Sequence, residues 1–214
     1  MSRALFIVFE GVDGSGTTTQ SQLLVQYILG LGHPALHARE PGGTSVGERI
    51  RDLVLDPAEE QMTVVTELLL YAASRSQHVH QLIRPALAKG NSVVSDRYAD
   101  SSLAYQGYGR GLDLAVVRMV NELATGGCSP DMTVYLDLPT EEAAMRRSRR
   151  AGASDRVERA GEELQERVRQ GYRQISEEHP ESSLLLDAAM GARQQSDFIR
   201  KELARRWPSF PFKR

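Results

Sequence analysis

Short apolar runs recur along the chain, and they are near-continuous rather than alternating between apolar and polar residues. Four are clear, ALFIVF (4–9), SVVS (92–95), TVYLDL (133–138) and SLLLD (183–187), and PALHAR (34–39) is a weaker fifth. A strand has no polar side when helices cover both faces of its sheet, so continuous runs indicate parallel strands. Helical patterns separate them, at 18–32, 60–90, 112–127 and 140–150. This alternation predicts a single α/β domain (1–214) with a parallel sheet, and Pro85 is expected to break the second helix.

The first strand runs into a glycine-rich loop, GVDGSGTTT (11–19). Its spacing of Gly11 and Gly16, between a strand and a helix, is typical of the phosphate-binding loop of P-loop enzymes. Thr18 occupies the position whose hydroxyl binds Mg²⁺, but Thr17 stands where that loop carries lysine. The alternative is a glycine-rich turn without a ligand, and the loop alone does not decide between the two. The nucleotide-binding interpretation assigns the donor site to Gly11, Val12, Asp13, Gly14, Ser15, Gly16, Thr17 and Thr18.

The run at 92–95 is followed by Asp96 and Arg97. Ligands of open α/β sheets bind at the carboxyl ends of the strands, which is where this pair is expected to lie. A carboxylate at that edge can hold Mg²⁺ through water, and a guanidinium can bind a phosphate group through two parallel hydrogen bonds. The alternative is an ordinary surface Asp–Arg pair. We predict that Asp96 and Thr18 form the metal site and that Arg97 is catalytic.

A segment with six arginines, MRRSRRAGASDRVER (145–159), follows the fourth strand. It is either a solvated helix end, where arginine suits the helix dipole, or a lid that closes over the transferred phosphate. We favour a lid at about 146–158, because a loop that lacks its lysine needs a cation from elsewhere. Arg149 and Arg150 are predicted to supply that charge.

Composition excludes several other classes of protein. The net charge of −2 gives no electrostatic case for nucleic acid or an anionic membrane as a partner. No apolar run approaches the roughly 20 residues of a membrane span, and the run at 4–9 is too short for a signal peptide. Cys128 is the single cysteine, so no intrachain disulfide is possible. We expect a cytoplasmic protein.

Together, these segments resemble thymidylate kinases of the bacterial type, in the P-loop nucleoside monophosphate kinase family. FEGVDGSGTTTQ, REPGGT, DRYADSSLAYQGYGRGL, PDMTVYLDLP and DRVE occur in family order between residues 9 and 158, and VRQGYRQI follows. The combination is specific, whereas no single segment is. The resemblance implies a five-stranded parallel sheet flanked by helices, ATP and Mg²⁺ as cofactors, dTMP as phosphate acceptor, and a homodimer.

The resemblance also implies site residues. The substrate-binding positions are Arg39, Arg51, Tyr71, Arg75, Arg97, Ser102, Tyr105 and Gln106. Tyr71 would stack on thymine, Arg75 would bond to the base, and Ser102 would face its edge. Tyr105 would lie near C2′ of the sugar and exclude ribose, while Asp13 would contact the 3′-hydroxyl and guide catalysis. Arg39 and Arg51 would contact phosphate, and Glu40–Pro41 would be a cis bond. Without the resemblance, LLLYAASR (68–75) also suits an ordinary core helix with an arginine reaching solvent.

Thr17 departs from the family pattern and leaves two alternatives open. Loss of one well-placed electrostatic donor costs about 10²–10³ in rate. The chain is therefore interpreted as a thymidylate kinase, with a related P-loop kinase for another acceptor, or a catalytically weakened nucleotide-binding protein, as alternatives.

Overall fold

A computed structural model describes residues 3–149 and 155–210. Its five strands are β1 (Phe6–Gly11), β2 (Ala35–Arg39), β3 (Ser92–Asp96), β4 (Met132–Asp137) and β5 (Ser183–Asp187). They form one parallel sheet in the order β2-β3-β1-β4-β5. The predicted five-stranded α/β fold is confirmed. β2, the weaker of the predicted strands, lies at one edge of the sheet and is only partly buried.

Helices connect the strands and cover both faces of the sheet. They are α1 (Thr17–Gly30), α2 (Ser45–Leu55), α3 (Val64–His78), α4 (Arg84–Ala88), α5 (Ala99–Ser102), α6 (Leu114–Thr125), α7 (Thr140–Ser148), α8 (Glu162–Glu178) and α9 (Ala192–Arg206). No helix within residues 3–149 and 155–210 is long and apolar enough to cross a membrane. Successive β1 residues alternate between two cores: Ile7 and Phe9 pack in one, and Phe6 and Val8 in the other. This double burial explains why the strand sequence is apolar throughout.

Pro85 does not end its helix as predicted. A π-helical turn, Val79–Ile83, joins α3 directly to α4, and Pro85 lies in the first turn of α4. At this position a residue does not need its backbone N–H for a helical hydrogen bond, so proline is tolerated. The wider π-helical turn before it accommodates the proline ring. The helical path therefore continues along the sheet and keeps α3 in place beside the carboxyl end of β2.

The strand order places the site at a topological switch point. The chain leaves β1 toward β2 on one side of the sheet and later adds β4 on the other side. In the register between β1 and β3, Phe9 lies opposite Asp96, so the glycine loop after β1 and the segment after β3 emerge side by side. Crevices of this kind bind ligands in open α/β folds.

Candidate active site

The glycine loop forms a tight turn at the start of α1. Gly14 and Gly16 have φ values of 101° and 103°, which non-glycine residues rarely adopt. A side chain at Gly14 would also meet the carbonyl oxygen of Ala143 in α7, at 2.7 Å from the added Cβ. Gly16 is the N-cap of α1 and offers no side-chain cap. The free N–H groups of the first turn, with the helix dipole, make this end of α1 suited to phosphate.

Thr18 and Asp96 meet beside this loop. The Thr18 hydroxyl donates a hydrogen bond of 2.5 Å to Oδ2 of Asp96, whose side chain is buried. Oδ1 of Asp96 is also buried and has no hydrogen-bond partner among the described residues. A buried carboxylate oxygen without a donor, beside a hydroxyl, is the kind of oxygen ligand that Mg²⁺ accepts. The two predicted metal residues therefore fit a magnesium ion.

Arg97 follows Asp96 and turns its side chain across the end of the sheet. It has a φ of 71°, the left-handed region, alone among the described non-glycine residues. Nη1 donates to the carbonyl oxygen of Gly11 at 2.8 Å, and Nη2 donates to Oδ1 of Asp13 at 2.5 Å. The Tyr105 hydroxyl donates to the other oxygen of Asp13 at 3.0 Å. Three predicted site residues are thus brought into direct contact.

A cleft opens beside these residues and encloses about 560 Å³, part of it open to solvent. Eight predicted residues line it: Asp13, Arg51, Tyr71, Arg75, Arg97, Ser102, Tyr105 and Gln106. Pro41 also lines the cleft, and the Glu40–Pro41 bond is cis as predicted. α2, α3 and the segment after β3 therefore contribute to one pocket.

Arg75 is held by a dense set of buried hydrogen bonds. Nε donates to Glu40 at 2.7 Å, Nη1 donates to Ser102 and Asn121, and Nη2 donates to the carbonyl oxygen of Tyr98. His78 contacts the other oxygen of Glu40 at 3.0 Å. These four bonds leave one N–H, on Nη2, for a ligand in the cleft. The guanidinium is a fixed part of the pocket and does not extend into solvent.

The remaining predicted phosphate contacts are divided. Arg51 lines the cleft and donates to the carbonyl oxygen of Pro41 at 3.0 Å. Arg39 instead donates through Nη2 to both carboxylate oxygens of Glu48, at 2.8 and 3.0 Å, and is not among the cleft-lining residues. The backbone N–H of Gly43 also donates to Glu48, which lowers the pKa of that carboxyl below its usual value. Arg39 can reach a ligand only if it exchanges this partner.

The arginine-rich segment reaches the glycine loop through a residue that the sequence did not single out. Nη1 of Arg147, in the last turn of α7, donates to the carbonyl oxygen of Asp13 at 2.6 Å. Arg149 is exposed just beyond the end of α7, and Arg150 lies outside the described residues. Arg147 is therefore the arginine of this segment that the structure places against the loop.

The end of the predicted lid segment, from Asp155 to Val157, is attached to the cleft and to α3. Asp155 and Val157 line the cleft. Arg156 between them donates to Glu67 of α3 at 2.5 Å and to the carbonyl oxygen of Val54 at 3.0 Å. Glu67 is 1% exposed and also accepts hydrogen bonds from Gln106 and Arg110. The sequence predicted a lid here but gave no indication of this buried ion pair.

Glu10 is another buried group that the sequence patterns did not indicate. It is fully buried at the end of β1 and accepts hydrogen bonds from the backbone N–H groups of Tyr98 and Ser101. Burial, and then the nearby Asp100 carboxyl, raise the pKa of Glu10 from 4.5 to about 8. The only available signal was a carboxylic acid directly after an apolar strand.

Both the sequence and the fold of the chain are similar to those of known proteins. The family model described as Thymidylate kinase matches residues 9–199. A thymidylate kinase of Desulforudis audaxviator is 51% identical over 185 residues, which are 86% of this chain and 83% of that protein. One of Pelotomaculum thermopropionicum is 48% identical over 184 residues, 86% of this chain and 85% of that protein. The crystal structure of thymidylate kinase from Ehrlichia chaffeensis superposes with a TM-score of 0.73 and 31% identity, covering 94% of this chain and 99% of that one.

Proposed function

The chain belongs to the thymidylate kinase family, and we propose that the cleft and the glycine loop carry out the family's reaction with the residues assigned below. The reaction transfers the γ-phosphoryl group of ATP to dTMP and yields dTDP and ADP. An oxygen of the dTMP phosphate forms a bond to the γ-phosphorus while the bond to the β,γ-bridging oxygen breaks. The observation that carries the assignment is that eight predicted site residues line one cleft beside the glycine loop.

The donor site is the loop from Gly11 to Thr18. The N–H groups at the start of α1 bind the donor phosphates, because a helix N-terminus attracts anions without the help of a side chain. Thr18 and Asp96 hold Mg²⁺. When bound, this ion neutralises charge on the β- and γ-phosphates. Asp96 suits the role because its buried Oδ1 has no partner among the residues described.

The acceptor site is the cleft. Tyr71 stacks on thymine, and the remaining N–H of Arg75, beside Ser102, bonds to the edge of the base. Tyr105 lies against the sugar and disfavours a 2′-hydroxyl. Arg97 and Arg51, which both line the cleft, bind the acceptor phosphate. Asp13 orients this group, because it already pairs with both Arg97 and Tyr105.

The arginine-rich segment supplies the positive charge that Thr17 cannot. Arg147 is in place over the loop, 2.6 Å from the carbonyl oxygen of Asp13. Arg149 and Arg150, which follow it, belong to the same set of cations. A guanidinium that follows negative charge onto the transferred phosphoryl group is worth about 10³–10⁵ in rate in related reactions. This substitution of one cation for another makes the chain a working kinase rather than only a nucleotide binder.

Exposed aliphatic side chains support a homodimer. α3 packs between α2 and α6, and these three helices carry Val46, Leu53, Val65, Leu69, Val116, Met119 and Leu123, each more than 40% exposed. On α6, residues 116, 119 and 123 follow the spacing of one helix face. Contiguous apolar surface of this kind on a globular protein marks an interaction site. We assign this three-helix face to the contact with a second copy of the chain.

An acceptor panel tests the function. Steady-state ADP release is measured with ATP, Mg²⁺ and dTMP, dUMP or UMP. dTMP should have the highest kcat/KM, and dUMP should fall by about 10–200-fold, because one methyl contact contributes only ~1–3 kcal/mol. UMP should be poorer still. Equal kcat/KM for UMP and dTMP would contradict the assignment of the cleft, and no ADP release with any acceptor would contradict the kinase activity itself.

A further inference from the structure

Two buried polar side chains lie behind Arg97 and have no part in the mechanism above. Glu10, at the end of β1, is 0% exposed, and Tyr172, in the middle of α8, is 3% exposed. They are 162 residues apart in the sequence, yet the Tyr172 hydroxyl donates a hydrogen bond of 2.9 Å to Oε2 of Glu10. Burial of a carboxyl group and a hydroxyl is costly unless they serve as partners for other polar groups. Their contacts show which group they serve.

The Tyr172 hydroxyl links Glu10 to the guanidinium of Arg97. It accepts a hydrogen bond of 3.1 Å from Nη1 of Arg97 and donates to Glu10. Glu10 is itself fixed, because its Oε1 accepts hydrogen bonds from the backbone N–H groups of Tyr98 at 2.8 Å and of Ser101 at 3.2 Å. Arg97 therefore donates to Tyr172, and Tyr172 donates to Glu10. Glu10 in turn accepts hydrogen bonds from the backbone of the segment that carries Arg97.

These contacts determine which side of the guanidinium faces the cleft. Nη1 is bonded to the carbonyl oxygen of Gly11 and to the Tyr172 hydroxyl, with a longer contact of 3.4 Å to the Ser101 hydroxyl. Nη2 contacts the cleft-lining residues Asp13 and Tyr105. The backbone of Arg97 is also held in its left-handed conformation, because its N–H donates to the carbonyl oxygen of Phe9 at 2.9 Å. The fixed Nη1 leaves the other edge of the guanidinium directed at the ligand.

We infer that Tyr172 and Glu10 are positioning residues: the Tyr172 hydroxyl, held by Glu10, orients Arg97 toward the phosphate of the acceptor nucleotide. The inference rests on the proposed role of Arg97 in binding that phosphate. Neither residue lines the cleft, so neither contacts a ligand bound there, and Arg97 is the phosphate-binding residue that Tyr172 contacts directly. Small errors in the placement of a phosphate-binding group are expensive in rate, which explains why the fold buries two polar groups to fix it.

The first test is Tyr172→Phe, which removes one hydroxyl and keeps the ring. Its matched control is Tyr135→Phe. Tyr135 is 2% exposed, its ring packs 6.1 Å from that of Tyr172, and its hydroxyl donates to Asp100 at 2.7 Å. Both variants thus remove a buried tyrosine hydroxyl that donates to a carboxyl group, but only the Tyr172 hydroxyl contacts Arg97. Tyr172→Phe should lower kcat/KM for dTMP about tenfold, the size expected for one hydrogen bond to a charged group, with KM for ATP within about twofold. Tyr135→Phe should leave both constants within about twofold.

A double-mutant cycle with Arg97→Lys separates positioning from a general loss of structure. A lysine has a single ammonium group and cannot contact Tyr172 and the cleft at the same time as the guanidinium does. Adding Tyr172→Phe to Arg97→Lys should therefore change kcat/KM for dTMP by less than about twofold. If Tyr172→Phe fails to fold, Glu10→Gln replaces it in the cycle. Glu10→Gln should lower kcat/KM for dTMP by a smaller factor, and this effect should also disappear in the Arg97→Lys background. Equal effects of the two tyrosine variants, or additive effects with Arg97→Lys, would overturn the inference. Absence of dTMP kinase activity in the unmodified protein would instead overturn the proposed function.

Discussion

Glu10 makes the stability of the protein depend on pH in a direction opposite to that of a carboxylate whose pKa is lowered by folding. Its pKa is raised from 4.5 to about 8, first by burial and then by Asp100, against smaller opposing contributions from Arg97, Ser101 and Tyr98. The folded protein therefore keeps a proton that the unfolded chain loses above pH 4.5. The free energy of unfolding should fall as the pH rises from 4.5 to about 8 and level off above that. At about 1.4 kcal/mol per pH unit, this interval corresponds to a loss of about 5 kcal/mol.

Urea unfolding at pH 5, 6, 7 and 8 measures this loss, and Glu10→Gln removes its source. With a denaturant dependence of roughly 2–3 kcal/mol per M, the wild-type midpoint should fall by about 1.5 M relative to the variant between pH 5 and pH 8. The glutamine cannot ionise, so its curve should lack the Glu10 contribution. Glu162→Gln, at an exposed position in the first turn of α8, is the control and should keep the wild-type slope. Parallel midpoints for wild type and Glu10→Gln at every pH would refute the reasoning.

Three further predictions concern the proposed metal site, the proposed base-binding arginine and the proposed dimer. Asp96→Asn should lower kcat by about 10²–10³ with little change in the urea midpoint; an unchanged kcat, or a failure to fold, would count against the metal role. Arg75→Met should destabilise the protein by about 3–5 kcal/mol in urea unfolding, because Glu40 is left buried without its ion pair; a loss below about 1 kcal/mol would show that the pair is not needed. Leu123→Asp should convert a dimer to a monomer in sedimentation experiments, whereas Phe198→Asp, equally an exposed apolar position but on α9, should not; a dimer that survives Leu123→Asp would place the contact on another face.

The sequence predicted most of the fold because its strands are buried on both faces. Runs such as 4–9 and 92–95 need no partner to be recognised, and the observed strands lie within two residues of the predicted ones. The exception was Pro85, where a π-helical turn absorbed the ring and let the helix continue. Local sequence does not show such a turn, because it depends on the packing of Val79 and Ile83 against the sheet.

Site residues could be predicted from the sequence where the order of the strands brings them together. They could not be predicted where their contact depends on how distant helices pack. Thr18 and Asp96 follow strands that are neighbours in the sheet, and their contact is a consequence of topology. Tyr172 and Glu10 meet only because α8 packs against β1, so no spacing in the sequence indicates their bond. Likewise, the choice of Arg147 among the clustered arginines depends on how α7 lies over Gly14.

We propose above that arginines near the loop replace the lysine missing at Thr17. One kinetic cycle tests this replacement directly. kcat for dTMP is measured at saturating ATP for the wild type, Thr17→Lys, Arg147→Ala and the double variant, with Arg149→Ala and Arg150→Ala in the same series. Arg147→Ala should lower kcat by about 10²–10³, with a smaller change in ATP binding. Thr17→Lys should raise kcat in the wild type and restore most of the activity lost in Arg147→Ala, because both cations act on the same phosphoryl charge. Full activity in all three arginine variants, together with a large gain in Thr17→Lys, would contradict the account and identify the natural chain as a weakened kinase.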